Sequence, residues 1–174
     1  AFIVLSLFFV LGILASNYAV FYTKKNLIDK ADPTGMLSSA SPYDFTHTWQ
    51  TTSYVSGFLL LLPGLLLILL ITNEFSFRTH RQNIIDGWSR RQFIHVKMMM
   101  ALIAALATTA LVILTAIIFG LASGSSFSIA KAAAVGFFFL KAISYNMIAV
   151  LIAVLVRRTG FAIGIFFIYL GAEN

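Results

Sequence analysis

Apolar runs of about twenty residues alternate along this chain with short polar segments. No charge falls between Ala1 and Tyr22, between Ser53 and Asn73, or between Met98 and Ala130. At 1.5 Å of rise per residue, ~20 apolar residues match a hydrocarbon core ~30 Å thick, so each run predicts a membrane-crossing helix. The predicted spans are 1–22, 53–72, 98–122 and 132–156, with a fifth, 161–170, cut short where the sequence stops. Between spans 1 and 2 lies a polar loop, 24–52, with two turn signals, Asp32-Pro33-Thr34-Gly35 and Ser41-Pro42-Tyr43-Asp44. A Gly- and Ser-rich turn, 123–128, ends span 3, and Arg157-Arg158-Thr159-Gly160 predicts a tight turn into span 5. Pro63-Gly64 in the middle of span 2 predicts a kink, with neighbouring helices satisfying the carbonyl that Pro63 frees. The expected fold is an all-α integral membrane protein, a helical bundle forming one transmembrane domain over 1–174. The chain begins and ends inside apolar segments, so it reads as a piece of a longer polypeptide. Ala1–Tyr22 is too long for a signal-peptide core and lacks a small-residue cleavage pattern before Lys24.

Composition makes a soluble fold untenable. Sixty per cent of the 174 residues are hydrophobic and 10% are charged, against about a quarter charged in soluble domains. Mean hydropathy is +0.94. The net charge of +6 does not imply a nucleic-acid partner, because the basic residues form short clusters beside the spans with no aromatic-basic face for bases to stack on. With no cysteine, disulfides and thiolate metal sites are excluded. Arg78, Arg81, Arg90, Arg91, Lys97, Arg157 and Arg158 fall on one side of the membrane, and Lys24, Lys25, Lys30 and Lys131 on the other. The more basic side is predicted to be cytoplasmic, which makes 24–52 external and runs span 1 outward.

The segment 73–97 carries the chemistry of interest. Phe77, Ile84, Ile85 and Trp88 lie at helical spacing on one stripe, with Arg78, Thr79, Gln82, Asn83 and Asp86 largely elsewhere. Gly87 is a candidate terminator of this short helix. Ser89-Arg90-Arg91-Gln92 has the S-x-x-Q form of a capping box, so Ser89 is predicted to start the helix that becomes span 3. By pattern alone, the segment is an amphipathic helix that anchors the chain at the interface.

At this segment the chain resembles the ABC-2 family of bacterial ABC exporters. That family's pattern after the second span is Glu, a Gly-Thr pair, a basic residue, Pro, a Ser-Arg pair and Lys. Glu74, Thr79, Arg81, Ser89-Arg90 and Lys97 stand at those positions in the family's spacing, while Arg78 replaces the Gly and Gly87 the Pro. The motif covers about 24 residues, and the arrangement of spans extends the likeness over the whole chain. The resemblance implies a permease subunit with six spans, five of them visible here, in the bacterial cytoplasmic (inner) membrane. It implies a partnership with a second permease subunit, identical or different, and with separate P-loop ATPase subunits that hold ATP and Mg. The segment 73–97 would be the coupling helix that docks into the ATPase. Ile84, Ile85 and Trp88 are its candidate anchors, with facing lipid as their alternative role. Arg78, Arg81, Asp86 and Arg91 are its candidate polar contacts. Glu74 would sit at the hinge, within i+4 reach of Arg78.

Other residues carry weaker signals. Lys141 falls nine residues inside span 4, a candidate contact to an anionic substrate or across the bundle; the alternative is that it snorkels from a span that starts later. Gly160 and Gly164 form a G-x-x-x-G suited to close helix packing, as do Ala101, Ala104, Ala105 and Ala110 in span 3. Met98, Met99 and Met100 scatter round a helix and read as interfacial filler. His47, His80 and His95 are dispersed, with no second ligand at metal spacing. No G-x-x-x-x-G-K-[ST], H-E-x-x-H, nucleophile elbow or acid pair occurs, so no catalytic residue, bound cofactor or metal is expected on this chain. Two rival readings stand beside the permease. A secondary transporter is disfavoured by spans without Asp or Glu, and a non-transporting anchor or assembly subunit of an envelope complex would also suit an amphipathic cytoplasmic helix.

Overall fold

A computed structural model describes residues 2–31, 45–77, 89–123, 128–129 and 131–173. Six α-helices and one 3₁₀ stretch account for nearly all of them: α1 (Phe2–Ala31), α2 (Phe45–Gly57), the 3₁₀ stretch Phe58–Leu60, α3 (Leu61–Ser76), α4 (Arg90–Ala122), α5 (Ala133–Val156) and α6 (Thr159–Glu173). No strand occurs among the described residues. Four continuous helical runs are long and apolar enough to cross a membrane: Val4–Thr23, His47–Ser76, Arg91–Ala122 and Ala133–Val156. Thr159–Ala172 forms a shorter apolar helix.

Two helices run past the predicted limits of their spans. Lys24–Ala31, expected in the external loop, continues α1, and Phe45–Thr52, expected in the same loop, opens α2. Helices need not stop where the hydrocarbon stops, because their backbone hydrogen bonds are internal at any depth. The run His47–Ser76 has 30 residues, about 45 Å of helix and so ~15 Å more than the hydrocarbon core. Most of its surplus is the polar stretch His47–Ser53. In the turn before Pro63 the run tightens into the 3₁₀ stretch Phe58–Leu60. The helix adjusts locally where proline cannot bond back and does not break.

The start of α4 is set by the predicted capping box. The Gln92 amide N–H donates to Ser89 Oγ (3.2 Å), and the Ser89 amide donates to Gln92 Oε1 (2.9 Å). Ser89→Ala is expected to cost about 1 kcal/mol. Faster amide exchange at residues 90–93 would report it, with the rest of α4 unchanged. At the other tight turn, Arg157 adopts a left-handed conformation, φ 56°, and its amide bonds the Ala153 carbonyl (3.1 Å). This caps α5 and lets α6 start two residues later.

Small residues let the helices approach. Ala101, Ala105, Val112 and Ala116 are fully buried along one stripe of α4, as are Ala142, Ala149 and Ala153 on α5. The main core joins Leu67, Ile68 and Ile71 of α3 to Ala101, to Ala149, Val150, Ile152 and Ala153 of α5, and to Ala162 and Phe166 of α6. Of the alanines singled out in the sequence, Ala110 is exposed and Ala104 packs only at the margin. Bilayer and protein interior are equally apolar, so this association rests on close packing and interhelical hydrogen bonds. Asn146 Nδ2 donates to the Ala101 carbonyl (3.3 Å), and Asn17 Nδ2 donates to Ser56 Oγ (3.3 Å). Thr72, Thr109 and Thr115 each donate to the carbonyl four residues earlier, satisfying hydroxyls that no water reaches.

Candidate coupling site at the basic end of the bundle

The end of α3 and the beginning of α4 meet at the two ends of the segment 78–88, which lies outside the described residues. Glu74 lies in the last turn of α3. Lys97 lies two turns into α4, at the depth where its polar N-terminal extension gives way to Met98. These residues, 23 apart in sequence, form an ion pair through Lys97 Nζ and Glu74 Oε1. The Lys97 side chain is 5% exposed and that of Glu74 30%. The expected partner of Glu74 at i+4, Arg78, lies outside the described residues.

Aromatic rings enclose this pair. The Phe75 and Phe93 rings stand edge to face with centroids 6.1 Å apart, bridging the same two helices. Lys97 Nζ lies 5.2 Å from the Phe93 centroid, and the Arg157 guanidinium lies 5.6 Å from that of Phe75. Both cations thus face ring π-clouds within the range of cation–π attraction. The Met100 sulfur lies 3.9 Å from Lys97 Nζ. One turn deeper, Thr159 Oγ1 donates to Thr72 Oγ1 (3.0 Å), which ties the start of α6 to α3. Four helices are therefore fastened together around Glu74. Phe75, Phe93 and Arg157 were not singled out from sequence. Their only signal was placement: an aromatic within four residues of each member of the pair, and a basic turn on the same side.

The remaining candidates separate. Arg91 is exposed on the first turn of α4, and its carbonyl accepts from His95 Nδ1 (2.9 Å). Arg78, Arg81, Ile84, Ile85, Asp86 and Trp88 lie outside the described residues. Gly160 and Gly164 are exposed, and a Cβ added at either meets nothing within 4 Å. The close glycine approach is instead at Gly64, where an added Cβ would lie 2.5 Å from the Phe166 ring. Lys141 is exposed on α5 with its ammonium 5.3 Å from the Tyr145 centroid. It lies at the far end of the bundle from Glu74 and is not part of this site. No cluster of three or more His, Cys, Asp or Glu side chains able to hold a metal occurs among the described residues.

No family model, curated protein or solved structure matches the chain. Its helices and composition define a multi-pass helical membrane protein.

Proposed function

We propose that this chain is the permease subunit of an ATP-driven ABC exporter of the ABC-2 type, in the bacterial cytoplasmic membrane. It forms half of a translocation path with a second permease subunit, and residues 73–97 dock onto a separate P-loop ATPase that binds ATP and Mg. The observation that carries the reading is the Glu74–Lys97 pair. The first and last residues of the motif, far apart in sequence, close the intervening segment into a loop with both feet on spans. A docked partner that pushes on such a loop cannot move one foot alone. Through Phe75, Phe93, Arg157 and the Thr72–Thr159 bond, the push reaches α3, α4, α5 and α6 together. That is the mechanical requirement for converting closure of an ATPase into rearrangement of a bundle, with no bond chemistry on this chain.

The test uses two variants in the docking segment. Trp88→Ala removes the largest apolar anchor, and such truncations typically cost ~2 kcal/mol, about thirtyfold in affinity. Arg81→Glu slows association in a salt-dependent way. Both leave membrane insertion intact, since the spans are unchanged. Co-purification of a P-loop ATPase with the tagged full-length protein, and ATP turnover of the reconstituted complex, are the measurements. Wild-type binding and turnover in both variants would remove the coupling assignment and leave the anchor-subunit reading in its place.

A further inference from the structure

At the opposite end of the bundle, a half-open groove of about 530 Å³ lies between α2 and α5. Its lining includes Gln50, Ser53, Tyr54, Phe58, Phe137 and Lys141. Two features of the lining are incomplete as they stand. Lys141 has no carboxylate partner among the described residues, only the Tyr145 ring. Ser53 is 8% exposed, and its hydroxyl has no hydrogen-bond partner among the described residues. Both residues line the same groove, and a buried hydroxyl without a partner is a cost that a bound acceptor would remove.

Depth identifies the acceptor. Counting about twenty residues outward from Asn73 along α3 and α2 places the hydrocarbon boundary near Tyr54. Outward of it lie His47–Ser53, and their neighbours are also polar: Lys131 Nζ donates to His47 Nδ1 (3.1 Å), and Trp49 Nε1 donates to the Ser128 carbonyl (2.9 Å). Lys141 lines the same groove as Ser53 and Gly57, so it stands within about a turn of that boundary, inside the reach of a snorkelling lysine. The groove is polar at Gln50 and Ser53 and apolar deeper, at Phe58, Leu61 and Leu170. This is the polarity gradient of a phospholipid seated with its head outward.

We propose that this groove binds an anionic membrane phospholipid of the outward-facing leaflet. The Lys141 ammonium meets the phosphate, Ser53 Oγ donates to one of its oxygens, and Phe58, Leu61 and Leu170 flank the acyl chains. The site stands independently of the transport reading. The carboxylate nearest this level along the described helices is Glu173, at the end of α6, about 21 Å above Thr159, and the test includes it.

The experiment reconstitutes the full-length protein in nanodiscs with photoreactive phosphatidylglycerol or phosphatidylcholine of identical chains, and maps the labelled peptides. Groove labelling, on residues 50–58 and 134–141, should favour phosphatidylglycerol by about fivefold, the preference one surface cation confers. Lys141→Gln should abolish that preference and Lys141→Arg keep it. Ser53→Ala should weaken labelling about threefold, as loss of one hydrogen bond does. Glu173→Gln should change nothing. Equal labelling by the two lipids, a preference that survives Lys141→Gln, or one that emerges only in Glu173→Gln would overturn the proposal. So would efficient disulfide dimerisation of a Phe137→Cys variant with loss of groove labelling, which would assign the groove to a second copy of the chain.

Discussion

Glu74→Gln should destabilise the protein by about 3–5 kcal/mol, because it leaves the Lys97 ammonium charged, buried and unpaired. Lys97 is 4% exposed as a residue, and its other close neighbours are the Phe93 ring and the Met100 sulfur. Neither replaces a carboxylate. The reciprocal change is milder. Lys97→Met leaves a carboxylate whose side chain is 30% exposed and can turn toward water, at about 2 kcal/mol on the scale of an unsatisfied polar group. The double variant Glu74→Gln/Lys97→Met should recover most of the loss, since a buried pair is often no more stable than an apolar replacement. Unfolding in detergent, monitored for all three variants, measures this. Equal effects of the two single variants, or a double variant as unstable as Glu74→Gln, would show that the residues do not act as a pair.

Gly64→Leu should cost about 3 kcal/mol, the upper end of the usual overpacking range. Gly64 is buried in α3 directly after Pro63, and Phe166 of α6 is fully buried against it. A single added Cβ would lie 2.5 and 2.9 Å from two carbons of that ring. The ring is hemmed in by the core of α3, α4 and α5, so it has nowhere to retreat. Phe166→Leu in the Gly64→Ala background should restore part of the stability by vacating the space. Gly164→Leu is the informative contrast. It sits on an open face, so thermal stability of the single chain should be unchanged, and any loss should fall on assembly with another subunit. Destabilisation by Gly164→Leu with a tolerant Gly64 would invert the packing described here.

The two glycines show what sequence spacing conveys and what it does not. G-x-x-x-G at 160–164 is a recognisable pattern, yet the tight approach occurs at Gly64, which no spacing rule marks. What distinguishes Gly64 is a phenylalanine about a hundred residues away. Spans 3 and 4 and the start of α4 were legible because their signals are local: an apolar run of bilayer length, and an S-x-x-Q box whose two hydrogen bonds form as expected. The outer half of α2 was not. Its buried face is Thr48, Trp49, Thr52, Ser53 and Ser56, helical in period but mostly polar, so a reading by hydropathy takes it for loop. The site around Glu74 and Lys97 was half legible. Glu74 and Lys97 were both recognised as motif positions, but their union depends on α3 and α4 lying side by side, which the intervening residues do not encode locally. The aromatic enclosure by Phe75 and Phe93 follows from the same juxtaposition.

Amide exchange over residues 73–97 of the full-length protein, with and without a bound P-loop ATPase, tests the central claim most directly. A docked helix hides its backbone from solvent, so exchange across 78–88 should slow at least tenfold when the ATPase binds, on the scale of a hot-spot interface. Residues 90–97 and the end of α3 should slow with it, because the Glu74–Lys97 pair joins both feet of the segment. Unchanged exchange over 73–97 while the ATPase is bound and protects another region would contradict the account.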